Sequence, residues 1–544
     1  MSLDSPVQSR ASLLDKPADK ISWRWWALWL VGFGVFSMMA PRDASFDVAH
    51  YHLHNGWSVL NGRMGQDLAP AELHSFLNPV WQVFVWLLVD TLPGRLVGFL
   101  LGALQGLILP ALYALTRRLM HRADATPSQM AVLAISLAGF TAEGMFGLLS
   151  SVRNDAVCAA AFLGALVMII PSDRAQPSLL RFGLASLLMG ALVGMKLTNS
   201  VYVLFFALAV PLLVTGWRMR INVLAVCAVS GLVGILVTGG WWAWYMYQTF
   251  ENPIFPFMNT FFEGPLGPDT PFRDDRYVPS GLLGAVFRPF VFLFDGEMIN
   301  EDGFFDPRLQ LGYLASFALL AAAIWKTSKM PAIAARTAVA FGAAFIFTII
   351  AWGLMFSIAR YLLAIWILGP TFVAYALAVW KPEIWSAKYA PHASLGALAL
   401  LFVVTQPSEL RRVAWSTWTG PYIEAELPER DFANATIAFS GGYPSAFLSS
   451  FFPESARLTH LVPQVWSAPA LANYNYQIRD LIRDPSRDLY VVIVDTESHW
   501  DEARERLRRD ENVVFDEAAC ERIYTSLDSP GVEWKICPAE VTPG

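Results

Sequence analysis

Long apolar runs with few charges recur along the first three quarters of the chain, and each predicts a membrane helix. An α-helix needs roughly 20 residues to cross the hydrocarbon core of a bilayer, and most runs are near that length. The first run is Trp23–Ala40, and the others are 95–116, 128–149, 156–171, 179–195, 198–215, 221–241, 309–325, 332–353, 361–379 and 389–405. The pattern predicts a mainly α polytopic domain over 23–407 with about 11 transmembrane helices.

Basic residues cluster in alternate gaps between these runs, and they predict which side of the membrane each gap faces. The clusters are Arg117 to Arg122, Arg174 with Arg181, Arg218 with Arg220, Lys326 with Lys329 and Arg336, and Lys381 with Lys388. The positive-inside rule makes these gaps cytoplasmic, together with a polar tail at 1–22. The first loop, 41–94, and a long loop, 241–308, then face the periplasmic side.

One apolar stretch, Phe76–Leu92, does not fit this count. If it crossed the membrane, the cluster Arg117 to Arg122 would fall outside and every later gap would invert. We therefore expect a dipping or interfacial helix on the outer side. We also expect Trp23–Ala40 to be a retained anchor, because Met38-Met39-Ala40 is a poor signal-peptide cleavage site.

The composition agrees with a membrane protein and excludes a general nucleic-acid binder. Of the 544 residues, 55% are hydrophobic and 15% are charged, and the mean hydropathy is +0.42. The net charge of −6 offers no general attraction to nucleic acid.

After Gln406 the residues become mixed and charged, which predicts a small soluble α/β domain at 408–544, on the periplasmic side. Strands are predicted at Thr436–Phe439, Leu489–Val494, Val513–Phe515, Ile523–Ser526 and Val532–Ile536, and helices at Ala468–Arg483 and Trp500–Arg509. The last two strands form a hairpin about Asp528-Ser529-Pro530-Gly531. Simple antiparallel pairing makes Cys520 and Cys537 diagonal neighbours, a marginal geometry that leaves a disulfide open.

The main candidate for chemistry is the first-loop stretch Phe46-Asp47-Val48-Ala49-His50-Tyr51-His52-Leu53-His54. Read as a helix that stops at Asn61-Gly62, it places four polar positions on one side, namely Asp47, His50, Tyr51 and His54. This spacing predicts a short interfacial helix whose polar side faces water. Asp47 is then either a general base or only the helix cap, and the sequence leaves both readings open.

Ionisable residues at the outer ends of apolar segments form a second candidate group, because such residues are costly in a membrane and usually functional or paired. The basic members are Arg153, Lys196 and Arg360, and Asp155 and Glu72 are carboxylates on the same face. A basic set of this kind is suited to a phosphate. Each basic residue alone is equally explained by a side chain that snorkels to the interface.

The histidines of the first loop are candidate metal ligands. His50 and His54 have the i, i+4 spacing of a helical zinc pair, but no Glu-x-x-His or Cys partner accompanies them. Interfacial histidines with satisfied hydrogen bonds are the favoured interpretation, and no metal ligand is assigned.

Short motifs follow one another in a recognisable order over residues 23–405. They are a D-x-x-x-Y-H-L at Asp47, Arg153-Asn154-Asp155, Gly194-Met195-Lys196-Leu197-Thr198, Asn252-Pro253-Ile254-Phe255-Pro256 and Arg360-Tyr361. This order resembles the GT-C-type membrane glycosyltransferases, which include protein O-mannosyltransferases and aminoarabinose transferases. The chain departs from relatives with adjacent acids in the first loop, because Val48 follows Asp47, and this leaves a divalent metal open as a cofactor.

The resemblance implies a transferase in the bacterial inner membrane that takes a sugar from a polyprenyl-phosphate donor at the periplasmic face. Asp47 would activate or orient the acceptor, with Asp155 or Glu72 as the alternative acid. Arg153, Lys196 and Arg360 would offset charge on the departing lipid phosphate. Asp155 would orient the acceptor or, as the favoured interpretation, pair with Arg153.

Two rival classes stay open at this point. A secondary transporter or lipid flippase for a lipid-linked or anionic substrate would have many apolar helices, but transporters tend to show repeats and midplane charges. Here no internal repeat is evident and the charges gather at one face. A non-catalytic scaffold would need no carboxylate at the membrane face.

Overall fold

A computed structural model describes residues 21–172, 176–267, 274–301, 303–326, 329–408, 411–441, 444–461, 472–495, 500–528 and 532–542, without the side chains of 472 and 473. Four parts of the sequence predictions lie outside the described residues. They are the tail up to residue 20, Arg174, the first four residues of the helix predicted at Ala468–Arg483, and the hairpin tip 529–531.

Helices dominate the chain up to residue 404. They are α1 Trp23–Met39, α2 Leu53–Leu60, α3 Val80–Thr91, α4 Gly94–Gly106, α5 Ile108–Arg122, α6 Gln129–Phe140, α7 Glu143–Phe146, α8 Asp155–Ile169, α9 Leu179–Met195, α10 Ser200–Leu213, α11 Trp217–Ile235, α12 Trp241–Phe250, α13 Asn259–Phe262, α14 Gly281–Phe292, α15 Arg308–Trp325, α16 Ala332–Met355, α17 Leu363–Ile367, α18 Gly369–Trp380 and α19 Ala390–Val404.

Five continuous helical segments within the described residues are long and apolar enough to cross a membrane. They are Gly94–Arg122, Trp217–Phe250, Arg308–Trp325, Ala332–Met355 and Ala359–Trp380. All five overlap runs that the sequence predicts as spans. The other predicted spans contain apolar helices of 12 to 17 residues, so the number of crossings stays a prediction.

The stretch that did not fit the topology, Phe76–Leu92, forms only the 12-residue helix α3. At about 1.5 Å per residue such a helix is roughly 18 Å long. The hydrocarbon core is about 30 Å thick. Because α6, within a predicted span, is also 12 residues long, this length does not decide whether α3 spans, and the dipping helix stays a prediction.

The long loop begins later than the sequence pattern indicates. The chain passes from α11 through a π-helical turn, Leu236–Gly240, directly into α12, and leaves helical geometry only at Glu251, which has a positive φ of 55°. The ten residues of α12 include no proline or glycine to break the helix. The predicted boundary at 241 therefore moves to Phe250, and α13 and α14 lie within what remains of the loop.

The C-terminal domain contains helices α20 Ala472–Ile482 and α21 Trp500–Arg506 and most of the strands. The strands of the chain are β1 Arg42–Asp43, β2 Arg412–Val413, β3 Ala425–Glu426, β4 Ala435–Ser440, β5 Arg457–Leu461, β6 Asp488–Asp495, β7 Val513–Phe515, β8 Glu521–Thr525 and β9 Glu533–Val541. The sheet order is β3-β8-β9-β6-β4-β5, with β7 also paired to β9. Only the β4–β5 and β4–β6 pairs are parallel. The α/β class agrees with the sequence pattern, which missed β5 and the two-residue strands β2 and β3.

The predicted diagonal placement of Cys520 and Cys537 is wrong. Strand β8 pairs with β9 in the register Glu521 to Ile536, so the preceding Cys520 lies directly opposite Cys537. Their Cα atoms are 4.1 Å apart and a disulfide joins them. The hairpin is centred one residue earlier than the sequence indicated, and this shifts the cross-strand register by two residues.

The first loop and the C-terminal domain pack as one unit. Strand β1 of the loop pairs with β2, near the start of the domain. The amide of Leu68 donates to the Leu458 carbonyl at 2.9 Å, and the Thr459 hydroxyl donates to the Leu68 carbonyl at 2.8 Å. The loop thus extends along the edge of β5 and joins the domain's hydrogen bonding.

Candidate active site

The Asp47 segment is helical but does not have the regular α-helical spacing that the sequence reading assumed. Val48–His52 forms a π-helix that runs into α2, and α2 ends at Leu60 before the predicted stop at Asn61-Gly62. Asp47 itself has helical backbone angles, and its side chain makes no capping hydrogen bond. The structure therefore excludes the reading in which Asp47 is only a cap.

The polar side of this segment does not face water, and the sequence prediction is wrong on that point. Asp47, His50, Tyr51 and His54 are all buried. A 3₁₀-helix of the C-terminal domain, Ala446–Phe451, covers the segment, and the His54 Nδ1 atom lies 3.0 Å from the Ser449 hydroxyl. The covering residues lie almost 400 positions away in the sequence, where local periodicity carries no information about them.

Asp47 forms an ion pair with Arg360 across the fold. The Arg360 Nη1 atom donates to the Asp47 Oδ2 atom, although the two residues are 313 positions apart. The partner of Arg360 is therefore distant in the sequence, and no neighbouring residue indicates it. Burial alone would raise the pKa of the Asp47 carboxyl, but the surrounding groups, with Arg360 the foremost and Arg153 and Lys196 adding to it, together hold that pKa well below its usual range.

A second ion pair lies beside the first. Lys196, just after α9, places its Nζ atom 2.8 Å from an Asp155 carboxylate oxygen and 3.4 Å from the Asn154 side-chain oxygen. Asp155 begins α8, so the helix dipole also favours its charge. The Tyr361 ring lies 5.3 Å from the Lys196 Nζ atom and 5.4 Å from the Arg360 Cζ atom. One aromatic ring thus stands next to both cations.

The predicted pairing of Asp155 with Arg153 is wrong, because Arg153 pairs with Asp43. The Arg153 Nε atom lies 3.0 Å from an Asp43 carboxylate oxygen, and its Nη2 atom donates to the Gly147 carbonyl at 2.9 Å. Asp43 also accepts from the Ser151 hydroxyl at 2.5 Å. Both members of the pair are buried. Arg153 therefore ties strand β1 to the segment before α8, and its guanidinium is already engaged.

Glu72, His50 and His74 of the first loop form a separate cluster with His460 at the junction with the C-terminal domain. The Glu72 Oε1 atom lies 3.6 Å from the His460 Nε2 atom. The His50 ring centroid is 5.1 Å from that of His74 and 6.4 Å from that of His460. Neither ring nitrogen of His50 has a hydrogen-bond partner, although the residue is buried. The expected satisfied, interfacial histidine is therefore wrong for His50.

Burial keeps the histidines around the first loop neutral near pH 7. It lowers the pKa of His52 and His74 to about 4, and the pKa of His54 and His460 to about 3. Among the described residues, no three His, Cys, Asp or Glu side chains are arranged to hold a metal ion. The geometry offers no assignment for the divalent metal that the sequence left open.

The structure thus sorts the predicted site residues into three sets. Asp47, Asp155, Lys196 and Arg360 come together at one end of the helices, beside Tyr361, which the sequence analysis quoted only within the Arg360-Tyr361 motif. Arg153 is held by Asp43, and Glu72 and His50 lie at the domain junction. Sequence reasoning did not place Asp43 in the site. It also did not consider His460, which lies within strand β5 and has no other distinguishing signal.

The two pairs beside Tyr361 share one feature that bears on chemistry. The cation is the more accessible member of each pair, since Arg360 and Lys196 expose 37% and 20% of their side-chain surface, against 10% and 8% for Asp47 and Asp155. A ligand that enters from the open side therefore meets positive charge first, with two carboxylates behind it. Such an arrangement is suited to an anion that carries a reactive group toward a base.

Comparisons with known proteins give little beyond this geometry. No protein-family model matches the chain, and no curated protein matches it. Among solved structures, the chain is similar to the crystal structure of ArnT from Cupriavidus metallidurans in the apo state. The similarity covers 96% of this chain and 99% of that chain, at 14% sequence identity and a TM-score of 0.39. A TM-score at this level does not establish a common fold.

Proposed function

We propose that the protein is a membrane glycosyltransferase that moves a sugar from a polyprenyl-phosphate donor to a periplasmic or lipid-linked acceptor. The observation that carries this proposal is the pair of buried carboxylates, Asp47 and Asp155, each held by a more exposed cation at one end of apolar helices. A lipid-linked phosphate is an anion delivered in the plane of the membrane, where such a site would meet it.

The donor phosphate is assigned to Arg360 and Lys196. The Arg360 guanidinium offers a planar fork that fits two phosphate oxygens, and the Lys196 ammonium adds a compact charge. The Nε atom of Arg360 makes no hydrogen bond in the structure, so part of its donor capacity is unused. Arg153, which the sequence analysis grouped with them, is left out because Asp43 and Gly147 already engage its guanidinium.

Asp47 is assigned as the general base, and Arg360 controls it. While Arg360 contacts Asp47, the low pKa of the carboxylate makes it a weak base. A donor phosphate competes for the same guanidinium, and Asp47 becomes more basic as Arg360 turns toward the phosphate. The base is thus strengthened only after the donor has bound.

The reaction balances with the groups present. The acceptor hydroxyl gives its proton to Asp47, and its oxygen forms a bond to the anomeric carbon of the sugar. The bond between that carbon and the phosphate oxygen breaks, and its electron pair leaves with the polyprenyl phosphate. Arg360 and Lys196 stabilise the negative charge that develops on this leaving group. Asp155 holds Lys196 in place at 2.8 Å.

The expected setting follows from the same assignment. Under the positive-inside rule, the end of the helices that carries Asp47, Asp155, Lys196 and Arg360 faces the periplasm of the bacterial inner membrane, and the C-terminal domain lies on that side. The first-loop residues Tyr51 and His54 then line the protein side of the site rather than a water-facing surface.

The test is donor turnover by purified protein in vesicles. A panel of polyprenyl-phosphate sugars is supplied with an extract of envelope glycolipids and glycans as acceptors, and release of polyprenyl phosphate is measured. We expect release with at least one donor by the wild type and none by Asp47→Asn. Transfer of an intact donor between leaflets without release of the lipid phosphate would support a flippase and contradict the proposal.

A further inference from the structure

Helix α14 carries an apolar face that no part of the described chain covers. Leu283, Phe287 and Val291 lie at i, i+4 and i+8, so they share one side of the helix. Leu283 and Phe287 expose 76% and 57% of their surface, and Phe294 just beyond the helix is also exposed. Three large exposed apolar residues on one side of a short helix, with a fourth just beyond its end, indicate a surface that contacts something other than water.

The opposite face of α14 packs on the outer ends of two candidate spans. The Tyr313 hydroxyl of α15 donates to the Val286 carbonyl at 3.2 Å, and the Gln310 side chain of α15 donates to the Pro289 carbonyl at 2.7 Å. The last residues of α16, Leu354 and Met355, are themselves exposed. The apolar face of α14 therefore continues the exposed surface of helices that are long enough to cross a membrane.

The length and flanks of α14 fit the interface of a bilayer rather than its interior. Its 12 residues make a helix of roughly 18 Å, too short to cross. Charged residues lie beside it, since Arg276 before the helix and Glu301 after it are both well exposed and lie 3.4 Å apart. A short helix with one apolar face and polar flanks is the pattern of a segment that lies in the headgroup region with its apolar side in the acyl chains.

One buried side chain links this helix to the candidate active site. The Arg288 Nε atom donates to the Ser357 hydroxyl at 3.0 Å, and its Nη2 atom donates to the Tyr277 and Met298 carbonyls. Ser357 is buried and lies three residues before Arg360. The amide of Ala359 also donates to the Ile299 carbonyl at 2.9 Å. The turn that carries Arg360 is thus held by α14 and by the chain that follows it.

We propose that α14 is a bilayer-contacting helix, seated in the outer leaflet by Leu283, Phe287 and Val291, and that this seating fixes the turn carrying Arg360. The occupant of the apolar face is the acyl region of the bilayer itself. The bilayer is favoured because the face continues the exposed surface of α15 and α16, which are long enough to cross a membrane. The consequence for Arg360 rests on the proposed function, whereas the contact with the bilayer does not.

The contact is tested by the depth of nitroxide labels at Leu283→Cys and Phe287→Cys, with Glu301→Cys as the water-exposed control. Cys158 and Cys227 are replaced by alanine, the disulfide is kept, and the protein is placed in vesicles of palmitoyl-oleoyl phosphatidylethanolamine and phosphatidylglycerol. We expect collisions with oxygen to dominate at 283 and 287, and collisions with a water-soluble nickel chelate at 301. Labels at 283 and 287 as accessible to nickel as the label at 301 would overturn the proposal. So would labels that become lipid-like only when polyprenyl phosphate is added, because the face would then belong to a prenyl chain.

The link to Arg360 is tested by the double variant Leu283→Gln with Phe287→Gln. The matched control is Leu180→Gln with Leu184→Gln at the far end of the protein, where two leucines have the same spacing and expose 70% and 47% of their surface. We expect the α14 variant to lose roughly tenfold in transfer from a vesicle-bound donor, equal to about 1.4 kcal/mol, with an unchanged melting temperature in detergent. An equal loss in both variants would overturn the link. Failure of the wild type to turn over any donor would refute the proposed function and leave the label experiment to decide the bilayer contact.

Discussion

The protein contains two buried polar clusters on either side of the first-loop π-helix, and they differ in charge and access. On the membrane-helix side, Asp47 and Asp155 are ionised and paired with cations that are partly open to solvent. On the domain side, His50 and His460 are buried and His74 is half-buried near Glu72, and desolvation lowers the pKa of each histidine. Formal charge is thus kept where a ligand can reach it, whereas the closed junction holds mainly neutral rings.

On the proposed function, this contrast separates residues that act on a ligand from residues that hold the fold together. Charges that are costly to bury are kept at an accessible position when they serve a ligand. Neutral polar rings at a closed junction serve packing between the first loop and the C-terminal domain. The predictions below test this division, from the largest expected effect to the smallest.

Asp47→Asn is expected to reduce sugar transfer by ~10²–10⁴-fold, the usual contribution of a general base. Asp47 makes no capping hydrogen bond, and its partner Arg360 stays partly open to solvent, unlike Arg153, so the substitution should leave the melting temperature close to that of the wild type. Transfer per folded molecule and thermal melting are measured on the same preparation. A variant that melts early yet transfers sugar at the wild-type rate would assign Asp47 a structural role.

Asp43→Asn is expected to act on stability rather than on chemistry. It leaves the buried Arg153 guanidinium without its counter-charge, and breaking a buried pair in this way costs about 3–5 kcal/mol. Thermal melting beside Asp501→Asn, a substitution of an exposed aspartate, checks the effect. Equal melting temperatures for the two variants would show that the Asp43–Arg153 pair does not hold the loop.

Sequence reasoning found the parts of the site but not their partners. The spacing of the first loop identified Asp47, and the scarcity of charge in the apolar runs identified Lys196 and Arg360. The contact between Asp47 and Arg360 joins residues 313 positions apart, so no local pattern could indicate it. The same limit explains why Asp155 was assigned to its neighbour Arg153 rather than to Lys196, which lies one helix further along the chain.

The fold shows a similar division between local and distant information. Apolar runs predicted the long helices at 309–325, 332–353 and 361–379 well, because periodicity and composition are local properties. The π-helix at Val48–His52 and the register of β8 on β9 depend on packing and on the turn between strands, so both differed from the sequence prediction. The burial of the first loop depends on the C-terminal domain and could not be read from the loop itself.

Arg360→Lys is expected to weaken donor binding while keeping the charge. The lost fork is worth about 1.5–3 kcal/mol for a charged hydrogen bond, or roughly tenfold to a hundredfold in affinity. The measurement is the binding of polyprenyl phosphate to protein in vesicles. The control is Arg181→Lys, which lies at the end of α9 opposite to Lys196. If both variants bind as the wild type does, Arg360 does not contact the phosphate.

The packing between the first loop and the C-terminal domain is expected to loosen in mild acid. The folded-state pKa values of about 3 to 4 for His52, His54, His74 and His460 lie below the unfolded value of about 6.5, so the unfolded chain binds more protons between these limits. The stability that neutral histidines contribute is complete above pH 6.5 and is lost as the pH falls toward 4. The protection of amides in residues 48–60 against hydrogen exchange, corrected for the intrinsic exchange rate at each pH, should therefore be lower at pH 5 than at pH 7.5. His460→Gln should flatten this dependence, and an unchanged dependence in that variant would remove His460 from the effect.

The most direct test of the central claim is the affinity of Asp47→Asn for polyprenyl phosphate. If Asp47 and the phosphate compete for Arg360, loss of the Asp47 charge frees the guanidinium, and the variant should bind the lipid phosphate more tightly than the wild type while transferring less sugar. Arg360→Ala, measured alongside, should bind more weakly than both. Binding by Asp47→Asn that is equal to or weaker than that of the wild type would contradict the claim that the donor phosphate takes Arg360 from Asp47.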